Sequence, residues 1–169
     1  MSDKVLVAYG SKHGATAEIA EAIGQAIQQA GLEVDVLSAD AVDSLSPYRA
    51  VVLGSAVYAG MWRKEAINLL ESQEEALAQR PVWIFSSGPT GEGDPVELLD
   101  GWRLPEPQEA VAARIAPRDI AVFHGNIEGD KLNLGEKLIV KAVKGQFGDY
   151  RDWEAIRGWA WDIARTLTS

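Results

Sequence analysis

Five short apolar runs, each followed by turn-forming residues and then by a helical pattern, constrain this chain more than any other feature. The runs are Val5 to Tyr9, Glu33 to Leu37, Ala50 to Leu53, Val82 to Phe85 and Ile120 to Phe123. Their Val, Ile and Phe content suits strands buried on both faces, as parallel strands are when helices cover both sides of a sheet. Alternation of this kind predicts an open α/β sheet whose right-handed crossovers place helices on both faces. No repeat or linker interrupts it, and 169 residues match one domain, so residues 1–169 are expected to form a single unit.

The helices are legible in the same way. Ile19, Ala22, Ile23, Ala26, Ile27 and Ala30 recur at spacings of three and four, with Gly31 as the expected C-cap. A second helix is predicted from about Arg63 to Ala78, turning Ile67, Leu70 and Leu77 inward and stopping before Pro81. A closing helix is predicted after Asp152 as N-cap, with Trp153, Ile156, Trp159, Ala160, Ile163, Ala164 and Leu167 on one face. Trp153, Trp159 and Trp161 cannot all share that face, so one is expected to be exposed or at an interface. The segment from Gly88 to Pro117 holds five of the seven prolines and reads as a long irregular loop with short helices.

Composition removes several functions. With no cysteine, the chain has no disulfide, thiolate metal site or cysteine nucleophile, and no metal is expected. A net charge of −9 argues against general binding to nucleic acid. No apolar run approaches the roughly 20 residues that span a bilayer, and the N-terminal MSDKVLVAYG carries no secretory pattern, so a cytoplasmic location is expected.

In sheets of this type ligands bind beyond the carboxyl ends of the strands, where strand order reverses. The stretch after the first run is YGSKHGAT, residues 9–16. A dinucleotide-dependent dehydrogenase would show GxGxxG here and an acidic residue closing the second run; Gly10 and Gly14 lie four apart and Leu37-Ser38 closes that run. A phosphorylated receiver domain would need an acidic cluster at this place and an Asp ending the third run, where Gly54-Ser55 stands. A flavin monophosphate needs neither lysine nor metal when backbone N–H groups converge at a helix N-terminus and hydroxyls assist. Ser11 and Thr16 supply the hydroxyls, Gly14 the turn, and the helix beginning near Ala15 its positive end. The plainer alternative is that Ser11 or Thr16 merely caps that helix.

SKHGAT resembles the phosphate loop of the flavodoxins, with His13 where that family usually places a threonine; an imidazole N–H would donate in its stead. The resemblance implies a flavodoxin-like doubly wound sheet of five parallel strands in the order 2-1-3-4-5. It also implies non-covalent FMN, with Ser11, Lys12, His13, Gly14, Ala15 and Thr16 around the phosphate. Two further loops would hold the isoalloxazine ring: Ala56, Val57, Tyr58, Ala59 and Gly60 after the third strand, and Ser87, Gly88, Pro89, Thr90 and Gly91 after the fourth. Tyr58 is the expected stacking partner, with packing on the neighbouring helix as the alternative. Gly60 or Gly88 would allow backbone to approach the flavin N5. Trp62 would either flank the flavin or pack on the sheet, Trp83 belongs in the core, and Trp102 would line a substrate cleft or cover the sheet.

GSAVYAGMWRKEAINLL, IAVFHGNI, GEKLIVKAVKG and YRDWEAIRGWAWDIA resemble, more narrowly, the menaquinone-dependent protoporphyrinogen oxidase-like branch. That likeness implies an FMN-dependent oxidoreductase passing electrons to a quinone or another small-molecule substrate. The alternative is an electron carrier docking a redox partner protein. No residue is assigned a catalytic role. His124, at the end of the fifth run, reads first as structural and second as a proton-transfer group. Glu92 and Asp94 follow the fourth-strand loop and would repel anions there, or simply form a solvated turn. Lys131, Lys137, Lys141, Lys144 and Arg151 against Glu136 and Asp149 make a local balance of +3. This stripe reads first as a surface helix with snorkelling lysines and second as a peripheral contact with the inner face of an anionic membrane.

Overall fold

The computed structural model describes residues 4–58, 60–88, 93–99, 101–127, 134, 136 and 148–169. Strands β1 (Lys4–Gly10), β2 (Val34–Ser38) and β3 (Tyr48–Tyr58) are joined through helix α1 (Ala15–Gln29) and a short 3-10 turn at Ala39–Ala41. A two-residue strand, β4 (Met61–Trp62), precedes α2 (Lys64–Ser72) and α3 (Glu74–Ala78). Next come β5 (Val82–Ser87), α4 (Pro95–Leu98), α5 (Glu106–Ile115) and β6 (Asp119–Phe123). The short strands β7 (Asn126–Ile127) and β8 (Gly148–Asp149) pair antiparallel, and α6 (Trp153–Thr168) ends the chain.

The five long strands are parallel in the order β2-β1-β3-β5-β6. This is the doubly wound flavodoxin fold, in the expected order 2-1-3-4-5 when only the long strands are counted. Alternate residues on each strand feed two cores. Leu6, Leu53 and Ile84 pack with Leu70, Leu77 and Ile115 from α2, α3 and α5. On the other face, Val7, Val52 and Phe85 pack with Ile23, Ile27, Ile156 and Ile163 from α1 and α6. Trp159 closes this second core, edge-on to Phe85 and Phe123 with centroids 6.1 and 5.4 Å away, while its Nε1–H donates to Asp119 at 2.8 Å. Trp83 is buried, and Trp161 is the tryptophan of α6 left exposed, at 38 %.

Three expectations change. The predicted helix from Arg63 to Ala78 is broken at Gln73, whose φ of −110° and ψ of 22° separate α2 from α3. Neither Gly nor Pro marks the break; it lets both Leu70 and Leu77 reach the same core. The Gly88 to Pro117 segment contains a regular ten-residue helix, α5, whose Val111, Ala112 and Ile115 are buried. Finally, β3 is eleven residues long and runs through Ala56, Val57 and Tyr58, which were expected in a loop. Their extension is held by a hairpin in which Val57 pairs with Trp62 and Tyr58 with Met61, turning through Gly60 at φ 78°.

At Gly54 a Cβ would lie 2.1 Å from the Phe85 ring, which is fully buried. Gly54→Ala is therefore expected to lower stability by about 1–3 kcal/mol, the cost of overpacking a filled core, measurable as a lower urea midpoint. Tyr48 is pushed up to about 12 by burial first and then by its hydrogen bond to Asp35, whose Oδ2 lies 2.8 Å from the phenol oxygen. Because the folded pKa lies above the ordinary value near 10, the folded state holds the proton more tightly. Its contribution is complete below pH 10 and is lost between about 10 and 12. Tyr48→Phe should flatten the fall in melting temperature across that interval.

Candidate functional site

At the carboxyl end of the sheet the apolar layers give way to a row of small residues. Gly10 stands beside Ser55, and Ser55 beside Ser86. Both serines are fully buried and so must be hydrogen-bonded. Ser55 Oγ donates to Ala56 O and accepts from Arg63 N–H, each at 2.8 Å, which fixes the start of α2 against β3. Ser86 Oγ accepts from Trp62 Nε1 and donates to Arg103 O, each at 2.9 Å. Trp62 is thus buried and committed to the strand row, which decides between its two expected roles in favour of packing. Gly10 has no room for a side chain, since a Cβ would fall 2.8 Å from Arg63 Cβ.

Beyond this row lies the predicted phosphate loop. Gly14 adopts φ 87°, a left-handed conformation that non-glycine residues avoid, and its N–H donates to Ser11 Oγ at 3.1 Å. Ser11 thereby shapes the turn rather than capping α1. The Gly14 carbonyl accepts from Glu18 N–H, so α1 begins at Ala15, with Thr16 buried in the first turn. The N–H groups of that first turn have no acceptor within the helix and point out of its positive end. The result is an anion cradle made mainly of backbone.

Lys12 and His13 do not point freely into this cradle. Both meet Glu136, whose Oε2 lies 2.8 Å from Lys12 Nζ and 2.9 Å from His13 Nε2. Glu136 is only 5 % exposed and counted in the sequence merely as an acid within the basic stripe. Lys12 Nζ also stands 4.6 Å from the Tyr58 ring centroid, linking the cradle to the end of β3. The structure therefore brings together the cradle, Tyr58 and Glu136, three parts of the chain far apart in sequence.

Ser87 and Gly88, the fourth-strand residues expected near the ring, are placed by close backbone packing. Ser87 is buried at the end of β5, and Gly88 N–H donates to Phe123 O at 3.2 Å. Gly125 rests on the Gly88 backbone, where a Cβ on Gly125 would sit 3.0 Å from Gly88 Cα. His124 is buried, and its Nε2–H donates to Gly93 O at 2.6 Å, the structural role expected first. Asp94 Oδ1 accepts from Val96 N–H and starts the turn into α4. Ala59, Pro89, Thr90, Gly91 and Glu92 lie outside the described residues, as do Lys131, Lys137, Lys141 and Lys144 of the basic stripe. No group of residues suited to a metal ion occurs among the described residues.

Arg151, assigned by sequence to the surface stripe, is instead a brace whose side chain is largely covered. Its side chain is 7 % exposed, and Nη1 donates to Ala15 O at 3.2 Å and to Glu18 Oε1 at 3.0 Å. Its guanidinium also forks onto Asp149 and lies 4.7 Å from the Trp153 ring. The hydrogen bond from Arg151 is the main reason the Asp149 carboxyl is held below the usual range. The acidic and aromatic neighbours in DYRDW were the available signal for such a brace. Arg151→Met should cost about 2 kcal/mol, as loss of charge-assisted hydrogen bonds does, and Arg151→Lys less. Urea unfolding measures both, and hydrogen exchange at the first turn of α1 should rise in the Met variant.

The flavodoxin domain family matches residues 6–153. No curated protein matches this chain in sequence. An archaeal flavodoxin superposes with a TM-score of 0.63 at 17% identity, over 98% of this chain and 99% of its own. A point mutant of the flavodoxin from Pseudomonas aeruginosa gives 0.60 at 17% identity, over 98% of this chain and 99% of its own. The rubredoxin oxygen:oxidoreductase of the anaerobe Desulfovibrio gigas gives 0.65 at 15% identity over 99% of this chain but 36% of that one, so the likeness there is to part of a larger protein. At these identities the solved structures speak to the fold, while the family match spans most of the sequence. The chain belongs to the flavodoxin domain family.

Proposed function

We propose that this protein binds FMN non-covalently at the carboxyl ends of β1, β3 and β5 and transfers electrons through it. The observation that carries this reading is the backbone cradle at Gly14, at the point where strand order reverses, with Tyr58 beside it. The donor set suits a terminal monophosphate. First-turn N–H groups, with the Thr16 hydroxyl in the same turn, suit an anion, while Lys12 and His13 both already contact Glu136. Ser11 would hold the turn and Ala15 would present its N–H. The flavin supplies the redox chemistry when bound, and the chain supplies position and environment. Ala56 to Gly60 and Ser87 to Gly91 would flank the ring, Tyr58 presenting its face once Lys12 moves aside. Buried Ser55, Ser86 and Trp62 would keep the strand ends rigid beneath it.

The protein family supports electron transfer without naming the acceptor. A menaquinone or other quinone acceptor, and membership of the protoporphyrinogen oxidase-like branch, rest on the sequence stretches quoted above and not on the comparisons. An organic small-molecule acceptor is favoured over a redox partner protein by one observation, the pocket next to Gly60 described below. We place the protein in the cytoplasm; among the described residues no helix is long and apolar enough to cross a membrane.

Incubation with excess FMN followed by gel filtration should leave flavin absorption bands on the protein. Their absence would end the cofactor reading. Because backbone carries the phosphate, His13→Thr is expected to change FMN affinity by less than about threefold, whereas Gly14→Val, forcing a β-branched residue to φ 87°, should weaken it at least about tenfold. Fluorescence titration of FMN measures both. Photoreduced protein mixed with a menaquinone analogue and, separately, with a one-electron protein acceptor distinguishes the two acceptor classes; faster oxidation by the quinone is expected.

A further inference from the structure

A pocket of about 530 Å³ opens between the β3–β4 hairpin and the N-terminal end of α5, outside the phosphate cradle. Its size lies within the range of sites that hold small organic molecules. Met61, Trp102, Leu104 and Pro105 make apolar walls, and Met61 is 59 % exposed. The walls are held by the buried relay from Trp62 through Ser86 to the Arg103 carbonyl, which ties hairpin, sheet and the 101–104 segment together. The pocket is thus built on fixed elements rather than on a loose surface fold.

Its polar lining is specific. Gln108 is 5 % exposed, lines the pocket and makes no side-chain hydrogen bond to another described residue. A buried amide in this state loses hydrogen bonding unless water or a ligand supplies it. Glu106 and Glu109, exposed in the first turn of α5, add two carboxylates to the lining, and none of the described lining residues is cationic. These carboxylates offset the positive end of the helix, so the site repels anions instead of attracting them.

The geometry points to a binding site for a planar, apolar organic molecule, neutral or cationic, whose hydrogen-bonding edge meets the Gln108 amide while its ring system lies against Trp102 and Met61. This goes beyond the FMN site and does not require it. Through Gly60 the two would share the β3–β4 turn, so a ligand here would stand next to the cofactor proposed above.

Three naphthyl probes of one shape test the site by equilibrium dialysis against the full chain: 2-naphthamide, 2-naphthylmethylamine as its ammonium ion, and 2-naphthoate. The amide and the ammonium are expected to bind at least tenfold more tightly than the carboxylate. Glu106→Gln, an exposed change that should leave the fold intact, is expected to narrow that gap about threefold or more. Gln108→Leu should weaken the amide about fivefold, the scale of one lost hydrogen bond. Equal binding of all three probes, preference for naphthoate, no binding at millimolar concentration, or a gap unmoved by Glu106→Gln would each overturn the assignment. The flavin spectrum is read separately. Probe binding without flavin bands would sink the cofactor reading alone, and flavin bands without probe binding would sink this one alone.

Discussion

Everything in this molecule follows from the burial of parallel strands on both faces. A strand covered on both sides must have each crossover return over one face, and right-handed crossovers dictate which. The connection leaving β1 passes over the face that carries α1 and α6, while that leaving β3 passes over the face that carries α2, α3 and α5. Between two neighbouring strands whose connections diverge, no backbone fills the space above the sheet. The crevice is a consequence of topology, and the cradle at Gly14 and the end of β3 are its two walls.

What keeps those walls in place is largely polar and buried. Ser55 anchors α2 to β3, Ser86 joins the hairpin to the 101–104 segment, and Arg151 joins the C-terminal segment to the first turn of α1. Each is a satisfied hydrogen-bonding group in a place where an unsatisfied one would cost about 1–3 kcal/mol. Apolar packing of the sheet tolerates small shifts of register between helix and strand, whereas a donor and acceptor 2.8 Å apart do not. Rigidity at the carboxyl ends therefore comes from these contacts more than from the two cores beneath them.

The helices and strands were legible where hydrophobic periodicity was strong. The α1 spacing of Ile19, Ile23 and Ile27 and the Asp152 cap of α6 read directly, and Ala155 N–H does donate to that cap at 3.1 Å. Periodicity fails where side chains are small. Ser55 and Ala56 carry little apolar signal, so β3 looked four residues long although its backbone pairs on both sides from Val51 to Ser55 and on one side beyond it. It fails again at Gln73, where the helix breaks for the sake of packing both flanking leucines. Of the candidate site, the cradle was legible because Gly14 and the following helix are a local pattern. Glu136 and Arg151 were not, since Glu136 meets Lys12 and His13, and Arg151 meets Ala15 and Glu18, across more than 120 residues of chain.

By itself, the sequence determined the class of sheet, the place of α1 behind a glycine turn, and the absence of any thiol chemistry, because each depends on residues near one another or on composition alone. Only the tertiary structure decided which charges meet. Lys12 and His13 looked like ligands for an anion and meet a carboxylate; Arg151 looked like a surface cation and braces the first turn of α1. Trp102 and Gln108 acquired a shared pocket only when α5 packed beside the hairpin. The reason is physical. Local conformation is set by neighbours in sequence, but electrostatic and packing energies depend on distance in space, and only the folded chain sets that distance.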